Sequence, residues 1–365
     1  MNDEEVRRTP GFVAGDRPRR RDASRVPVAA VQHPLDREAR AALARVPGLD
    51  AAVKAVFAHG LERIWRMQNV GSALRVGDRQ FAPLNRLWRG VVDRLGVDPA
   101  PPLYVRHGPL NAWTSGVDQP FVVVTTAMVS LTTPAELEFV LGHELGHIKC
   151  GHVLYNTIAN QLQALVQLLP GVGVVLSGAA QVALLEWRRK AELSCDRFGL
   201  LACQDPDAAL RLLAKLAGAP YAFHDAIDVE AFLAQYAELD RLDADALGFL
   251  YRMAAETTLT HPWTVERAWT LDAWRRDGGL EAVLAEAPWE PERPEAPSSA
   301  WPFAAARCAP CGALVPTGDR FCAACGAPAP APPEACDRCG HPMEAGDRFC
   351  TGCGARAPAR PREVT

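Results

Sequence analysis

Apolar residues recur at spacings of three and four along most of the chain, which is the pattern of helices that bury one face. In the first third this pattern predicts helices over Leu35 to Val46, Leu49 to Met67 and Phe81 to Leu95. It returns over Gln181 to Cys203 and again over 206 to 285. The protein is therefore expected to be mainly helical.

Three short segments between these helices have a different composition. Leu103 to Arg106, Ala112 to Ser115 and Phe121 to Thr125 are rich in β-branched and aromatic residues and are separated by turns that contain Gly and Pro. They predict a small β-sheet, so the expected fold class is α+β. An exposed edge of such a sheet can hold an extended peptide by strand addition.

The segment from Cys150 to Leu185 contains no Asp, Glu, Lys or Arg, which raises the question of a membrane. A hairpin through a bilayer would need about 40 apolar residues plus a turn. This segment is interrupted by Asn and Gln side chains and by Pro170-Gly171, so we expect two buried or interfacial helices. Peripheral membrane contact through residues 153 to 185 is the alternative.

A clear helix start precedes a pattern that is typical of zinc sites. Thr133 and Glu136 have the spacing of a capping box, and the motif HELGH follows about two turns later. Residues i and i+4 share one face of a helix, so His143 and His147 can present two imidazoles to one zinc ion, with Glu144 beside it. The alternative is a pair of ordinary helix histidines next to a charged residue.

The ligand that completes such a site must come from elsewhere in the chain. In the metzincin class the motif continues with a Gly and a third His, but the corresponding positions here hold Cys150 and Val153. His152 is one position out of register. Glu192 is the better candidate, and Asp196, one helical turn later, can hydrogen-bond a ligand histidine. Both carboxylates can also belong to a polar helix face paired with a neighbouring Lys or Arg.

Two copies of one cysteine pattern lie near the end of the chain. Each reads C-x2-C-x10-C-x2-C, the spacing of a closed four-thiolate zinc site that holds a small fold together. The predicted ligands are Cys308, Cys311, Cys322 and Cys325 in the first copy and Cys336, Cys339, Cys350 and Cys353 in the second. The two copies resemble a double zinc ribbon, that is, two small β units that each hold a structural zinc ion.

Composition limits the partners and the compartment. The formal net charge is −4, and residues 306 to 356 carry five Arg against five Asp plus Glu, with Phe321 and Phe349 as their only aromatics. No nucleic acid is therefore expected, and a protein partner is favoured for the zinc units. Cysteines that hold zinc as thiolates are typical of a reducing compartment, which favours a cytoplasmic location. The basic N-terminal arm is not followed by the apolar segment of a signal peptide, which favours the same location.

Shifts in composition divide the chain into five parts. Residues 1 to 30 form a basic arm that is expected to be disordered, 31 to 285 a catalytic domain, 286 to 305 a Pro-rich linker, 306 to 356 the two zinc units, and 357 to 365 a disordered tail.

Four motifs together resemble one known family. GHELGHIKCGH, AELSCDR, NAWTSG and THPWTVERAW are similar to motifs of the zinc metallopeptidases that include the protease HtpX and the CAAX prenyl endopeptidases. The resemblance implies a gluzincin fold, a mainly helical domain with a small sheet. It also implies a catalytic zinc ion that is bound by His143, His147 and Glu192. Glu144 would be the general base, and Asp196 would be the carboxylate that supports a ligand.

The same resemblance implies further site residues. Asn111 and Ala112 would lie beside the substrate cleft, and His261 and Arg267 would approach the metal and stabilise the oxyanion. A zinc-dependent endopeptidase with one catalytic and two structural zinc ions, acting on proteins or peptides, is the leading hypothesis. The alternative is a catalytically silent scaffold whose ribbons recruit protein partners. Membrane-spanning relatives have longer apolar hairpins and lack the ribbons, so their location and substrates do not transfer to this chain.

Overall fold

The structure, a computed structural model, describes two separate units of the chain. One unit runs from Arg20 to Glu290, and the chain from Pro291 onward belongs to the other. The described residues are 20–43, 45, 61–156, 179–245, 251–252, 255 and 262–290, with short segments between 305 and 343. The expected arm at residues 1–19, the apolar stretch at 157–178 and the tail at 357–365 lie outside them.

The first unit is mainly helical, which confirms the expected fold class. Its helices are α1 (Val28–Val31), α2 (Pro34–Leu43), α3 (Leu61–Ser72), α4 (Ala82–Leu95), α5 (Thr126–Leu131), α6 (Pro134–Lys149), α7 (Ala179–Cys203), α8 (Pro206–Leu216), α9 (Val229–Leu242), α10 (Thr264–Arg276) and α11 (Gly279–Leu284), with a 3-10 helix at Tyr221–Ala226. Among the helices that the structure describes, none combines the length and apolar character that crossing a bilayer requires.

A four-stranded sheet lies in the first unit, and the three predicted strands are confirmed with their predicted bounds. The strands are β1 (Leu74–Arg75), β2 (Leu103–Arg106), β3 (Ala112–Ser115) and β4 (Phe121–Thr125), in the order β1-β2-β4-β3. β2 and β4 are parallel, and the other pairs are antiparallel. Within the described strands β3 pairs with β4 alone, so its other side is an edge of the sheet.

Helix α6 is the central helix of this unit, and its predicted start is confirmed. The Thr133 side chain accepts a hydrogen bond from the Glu136 amide, and the Glu136 carboxylate accepts one from the Thr133 amide at 2.8 Å. The residues of α6 from Pro134 to His147 are buried apart from Ala135. A helix that is buried on nearly every side needs neighbours that approach it closely.

Glycines allow α7 to approach α6. A Cβ added at Gly142 would lie 2.3 Å from the Ala202 Cβ and 2.9 Å from the Phe198 carbonyl oxygen. A Cβ at Gly146 would lie 2.9 Å from the Phe198 Cβ, and one at Gly199 would lie 2.8 Å from the Phe139 carbonyl oxygen. These distances are shorter than any van der Waals contact. Glycine at three positions therefore sets the helix spacing on which the candidate site depends.

Gly142→Ala is expected to destabilise the protein by about 1–3 kcal/mol, because the methyl group would meet helix backbone that cannot move aside cheaply. Gly71→Ala is the matched control, since Gly71 also lies in a helix but a Cβ there meets nothing within 4 Å. The control is expected to be neutral or stabilising by about 0.5–1 kcal/mol. Chemical unfolding of both variants measures the difference, and equal effects would argue against close helix packing at Gly142.

The first unit begins earlier than the expected boundary at residue 31. Arg20 is buried and forms an ion pair with Glu138 of α6 at 3.0 Å. Glu138 also lies 3.8 Å from Arg94 of α4, whose guanidinium contacts Glu290 at 2.6 Å. These buried ion pairs hold the segment around Arg20 and the residues before Pro291 against α6 and α4. The segments at 20–30 and 286–290, which were assigned to the arm and the linker, are therefore part of the folded unit.

The described residues of the second unit form two short hairpins. They consist of β5 (Ala305–Arg307) with β6 (Leu314–Pro316) and β7 (Glu334–Ala335) with β8 (Pro342–Met343), both antiparallel. Each hairpin brackets the first cysteine pair of one copy of the repeat. Cys308 is buried against Val315, and the other predicted ribbon ligands lie outside the described residues.

Candidate active site

Two imidazoles on α6 face one carboxylate on α7. The Nε2 atom of His143 lies 3.3 Å from Oε2 of Glu192, and Nε2 of His147 lies 3.5 Å from Oε1 of the same residue. All three side chains are buried. The helical spacing of the two histidines places them on one face, and the close approach of α7 brings Glu192 opposite that face.

The other ring nitrogen of His143 is held by a second carboxylate. Its Nδ1 atom lies 2.9 Å from Oδ1 of Asp196, one turn after Glu192 on α7. Burial lowers the pKa of His143, but Asp196 and Glu192 outweigh this effect and raise it to about 10. Without a metal ion, the two carboxylates therefore favour a positive charge between them.

Arg267 lies behind this arrangement. Its guanidinium donates to both carboxylate oxygens of Asp196, at 2.6 and 2.8 Å, and lies 3.8 Å from Glu192. Burial opposes ionisation of Asp196, but Arg267 and His143 outweigh it and hold the pKa of that carboxyl below its usual value. Arg267 thus contacts the Nδ1 side of His143 and its carboxylate partner. The expected role of Arg267 at the oxyanion remains a prediction. His261, the other residue expected to stabilise the oxyanion, lies outside the described residues.

Glu144 points towards the sheet. Thr114 of β3 lies with its hydroxyl 2.7 Å from Oε2 of Glu144 and 3.1 Å from the main-chain oxygen of Glu144. Burial raises the pKa of Glu144 to about 7. Thr114 was not predicted as a site residue, although it lies inside the NAWTSG motif, where alternation along the strand would have placed it on the same side as Ala112.

Asn111 and Ala112 lie at the start of β3. The amide of Asn111 donates to the Thr125 hydroxyl at 3.1 Å, and the Asn111 side chain accepts a hydrogen bond from the amide of Ala112. Asn111 is therefore held beside the end of β4, directly before the strand whose Thr114 contacts Glu144. A role in substrate binding remains a prediction.

Sequence reasoning also missed the residues that surround His147. Cys195 lies with Sγ 3.2 Å from its Nδ1 atom, and His152 and Asn156 lie at 3.3 and 3.0 Å. Because the Nε2 atom of His147 faces Glu192, these three side chains are on the opposite side of the ring. His143, His147 and Cys195 offer ligand atoms within 4.8 Å of one another, but Sγ of Cys195 lies at Nδ1 of His147 and not at the Nε2 atom that faces Glu192. His152 and Asn156 follow His147 closely in the chain, whereas the packing of α7 brings Cys195 to it.

The donor atoms fit a zinc ion. Two imidazole nitrogens and a carboxylate oxygen are the set found in catalytic zinc sites with three protein ligands, and their separations match neighbouring ligands around one small ion. The carboxylates of Asp196 and Glu192, which raise the pKa of His143, favour a positive charge at the site, while Asp196 accepts from the nitrogen that does not face Glu192. His143, His147 and Glu192 are therefore the candidate ligands.

Comparisons with known proteins assign two regions of the chain to families. Residues 78–275 match the peptidase family M48, and residues 308–354 match the double zinc ribbon. Comparison with solved structures found no match.

Curated relatives are named as proteases. The chain is 37% identical over 259 residues to the plastoglobule-localized metallopeptidase 48 of Arabidopsis thaliana, covering 70% of this chain and 75% of that protein. It is 25% identical over 233 residues to a protease HtpX homolog of Ralstonia pickettii, covering 56% of this chain and 77% of that protein. The chain belongs to peptidase family M48 and is a metallopeptidase that carries a double zinc ribbon after its catalytic domain.

Proposed function

We propose that this metallopeptidase is a zinc-dependent endopeptidase that cleaves peptide bonds with Glu144 as general base. The observation that carries the proposal is that the Nε2 atoms of two imidazoles on α6, the helix that also bears Glu144, each lie within 3.5 Å of the Glu192 carboxylate on α7. When bound there, zinc lowers the pKa of a water molecule and polarises the scissile carbonyl.

Glu144 takes a proton from the attacking water and delivers it to the leaving amine. Thr114 lies close to Oε2 of its carboxylate, so Oε1 is the oxygen available to the proton. Burial raises the pKa of Glu144 to about 7, which suits a group that must both accept and release a proton near neutral pH. No residue forms a covalent bond to the substrate in this scheme.

The edge of β3 offers a place for the substrate. An extended peptide can add to a strand edge through main-chain hydrogen bonds, with little dependence on its sequence. Because Thr114 of β3 contacts Glu144, a peptide paired with β3 would pass beside the general base. Asn111 and Ala112 would line the beginning of this path.

The full assignment includes three zinc ions, one catalytic and two held by the ribbon cysteines. The ribbons are proposed to recruit a protein partner. A cytoplasmic location, with peripheral membrane contact through 153–185 as the alternative, remains a proposal that rests on composition.

The protein is expected to cleave members of a diverse peptide library, read by mass spectrometry, and to lose this activity when a chelator removes the catalytic zinc. Glu192→Gln is expected to cause a similar loss, because it weakens the third ligand. Glu186→Gln is the control, since Glu186 lies on the same helix but pairs at the surface with Lys190. It should retain wild-type cleavage.

A catalytically silent scaffold would give the opposite result. In that case the wild-type protein would contain three zinc ions by elemental analysis and cleave no peptide of the library. Cleavage that survives both zinc removal and Glu192→Gln would refute the zinc-dependent mechanism.

A further inference from the structure

The second candidate ligand, His147, has buried polar surroundings that catalysis does not use. Its Nε2 atom faces Glu192 at 3.5 Å, so Nδ1 points away from that carboxylate. Nδ1 lies 3.3 Å from Nδ1 of His152, 3.0 Å from Nδ2 of Asn156 and 3.2 Å from Sγ of Cys195. A neutral imidazole that binds metal through Nε2 carries its proton on Nδ1. Each of these three neighbours lies close enough to Nδ1 to be a candidate acceptor for that proton.

The hydrogen bond at Nε2 of His152 leaves its other ring nitrogen, Nδ1, as an acceptor for His147. Its Nε2 atom lies 3.0 Å from Oδ2 of Asp36, and both side chains are fully buried. The same carboxylate oxygen accepts from the Ser194 hydroxyl at 2.6 Å and the Gln32 amide at 2.8 Å. An ionised carboxylate can only accept hydrogen bonds. The proton of a neutral His152 therefore lies on Nε2, and the lone pair on Nδ1 faces His147.

The other two neighbours are weaker acceptors. Thiol sulfur accepts hydrogen bonds poorly, which argues against Cys195. Asn156 presents its amide nitrogen, a donor, while its buried Oδ1 has no hydrogen-bond partner among the residues that the structure describes. Rotation of this amide would exchange the two atoms and let Asn156 share the proton of His147 with His152.

We propose that Asp36 and His152 form a hydrogen-bond relay that holds His147 in the tautomer that binds zinc through Nε2. The two are positioning residues, and the inference rests on the proposed function. The relay does for His147 what Asp196 does for His143. Ser194, which anchors Asp36, lies on α7 between Glu192 and Asp196. Through Asp36, helix α2 near the beginning of the folded unit takes part in the metal site.

A separate metal site at the same place is the competing interpretation. Asp36, Cys150 and His152 each offer a ligand atom, and these atoms lie within 4.8 Å of one another. Oδ2 of Asp36 already has three hydrogen-bond partners, however, although Oδ1 has none among the described residues. Burial also raises the pKa of the Cys150 thiol to about 12, which makes the loss of its proton to a metal ion costly. These groups are better suited to hydrogen bonding than to holding an ion.

Metal binding to the full-length protein tests the relay. The exchangeable catalytic zinc is removed with a mild chelator while the ribbons keep theirs. Cobalt is then titrated into the site and followed by its visible absorption, and zinc affinity is measured by competition with a chromophoric chelator. His152→Leu and Asp36→Ala are expected to weaken binding about 10- to 100-fold and to change the cobalt spectrum.

Two further variants separate positioning from general destabilisation. His152→Asn should restore most of the affinity, because the Asn oxygen can occupy the place of Nδ1 and accept from His147. Glu138→Gln is the control, since Glu138 is buried on the same helix as His147 but pairs with Arg20. It should lower stability while leaving the affinity and the cobalt spectrum unchanged.

Several outcomes would overturn the relay. One is that His152→Leu binds cobalt with wild-type affinity. Another is that Glu138→Gln loses as much affinity as His152→Leu. A third is that Asn156→Leu loses affinity while His152→Leu and Asp36→Ala do not. A fourth zinc ion per chain that disappears in Asp36→Asn would replace the relay with a metal site. Failure of the wild-type protein to bind cobalt outside the ribbons would instead refute the proposed function.

Discussion

Replacing Glu144 with glutamine is expected to lower the kcat of peptide hydrolysis by about 10²- to 10⁴-fold while the zinc content stays at the wild-type value. Glutamine has nearly the same shape as glutamate and can keep the contact with the Thr114 hydroxyl. It cannot take a proton from water near neutral pH. Because Glu144 is not a candidate ligand, the metal should remain bound.

The measurement needs both a rate and a metal count. Steady-state cleavage of a peptide found in the library gives kcat and KM, and elemental analysis gives zinc per chain. The expected pattern is a large fall in kcat with little change in KM, since the proton transfer contributes to the transition state and not to peptide binding. Retained turnover in Glu144→Gln would exclude Glu144 as the general base, and loss of zinc would make it a ligand.

Replacing Arg267 with glutamine is expected to lower the free energy of unfolding by about 3–5 kcal/mol, because it leaves a buried carboxylate without its partner. Arg267 donates two hydrogen bonds to Asp196, and both side chains are buried. Neutral glutamine cannot supply the missing charge. The loss should also weaken zinc binding, since Asp196 holds the ring of His143.

Arg276→Gln is the matched control for Arg267. Arg276 lies on the same helix and pairs with Asp272 at 2.7 Å, but its side chain is 63% exposed. Exposed pairs contribute about 0–1 kcal/mol, so urea unfolding should separate the two variants clearly. Similar losses in both would show that Arg267 contributes no more than a surface charge.

Acidification gives an independent check on the same pair. The pKa of Asp196 in the folded protein lies below its ordinary value of 3.8, because Arg267 and His143 outweigh the effect of burial. Its contribution to stability is therefore complete above that ordinary value and is lost as the pH falls through the lower, folded pKa. The difference between wild type and Arg267→Gln should shrink below about pH 4.

Local patterns in the sequence predicted a large part of the site. The spacing of His143 and His147 places them on one helix face whatever the rest of the chain does. The capping box at Thr133 marked the start of that helix, and residue composition located β2, β3 and β4. Glu192 was selected because the metzincin continuation of the motif is absent, and Asp196 because it lies one helical turn later. The resemblance to a known family then implied the same two residues.

Partners that come from distant parts of the chain were beyond such patterns. Thr114 reaches Glu144, and Asp36 reaches His152, only because a strand and an N-terminal helix pack beside α6. Arg267 was selected through the family resemblance, but its contact with Asp196 was not predicted. A motif identifies which residue types lie near a site. The way in which the helix or strand packs then decides which atom each side chain contacts.

The sequence alone indicated which groups can carry the chemistry of this protein. Two imidazoles one helical turn apart and paired cysteines are typical zinc-binding groups, and the carboxylate beside the imidazoles suits a general base. The tertiary structure decided how those groups are supported. Glycines at 142, 146 and 199 let two helices approach until side-chain atoms are within hydrogen-bonding distance. The approach of α6 and α7 depends on the shapes of both helix surfaces together, so the sequence of either helix alone does not predict it.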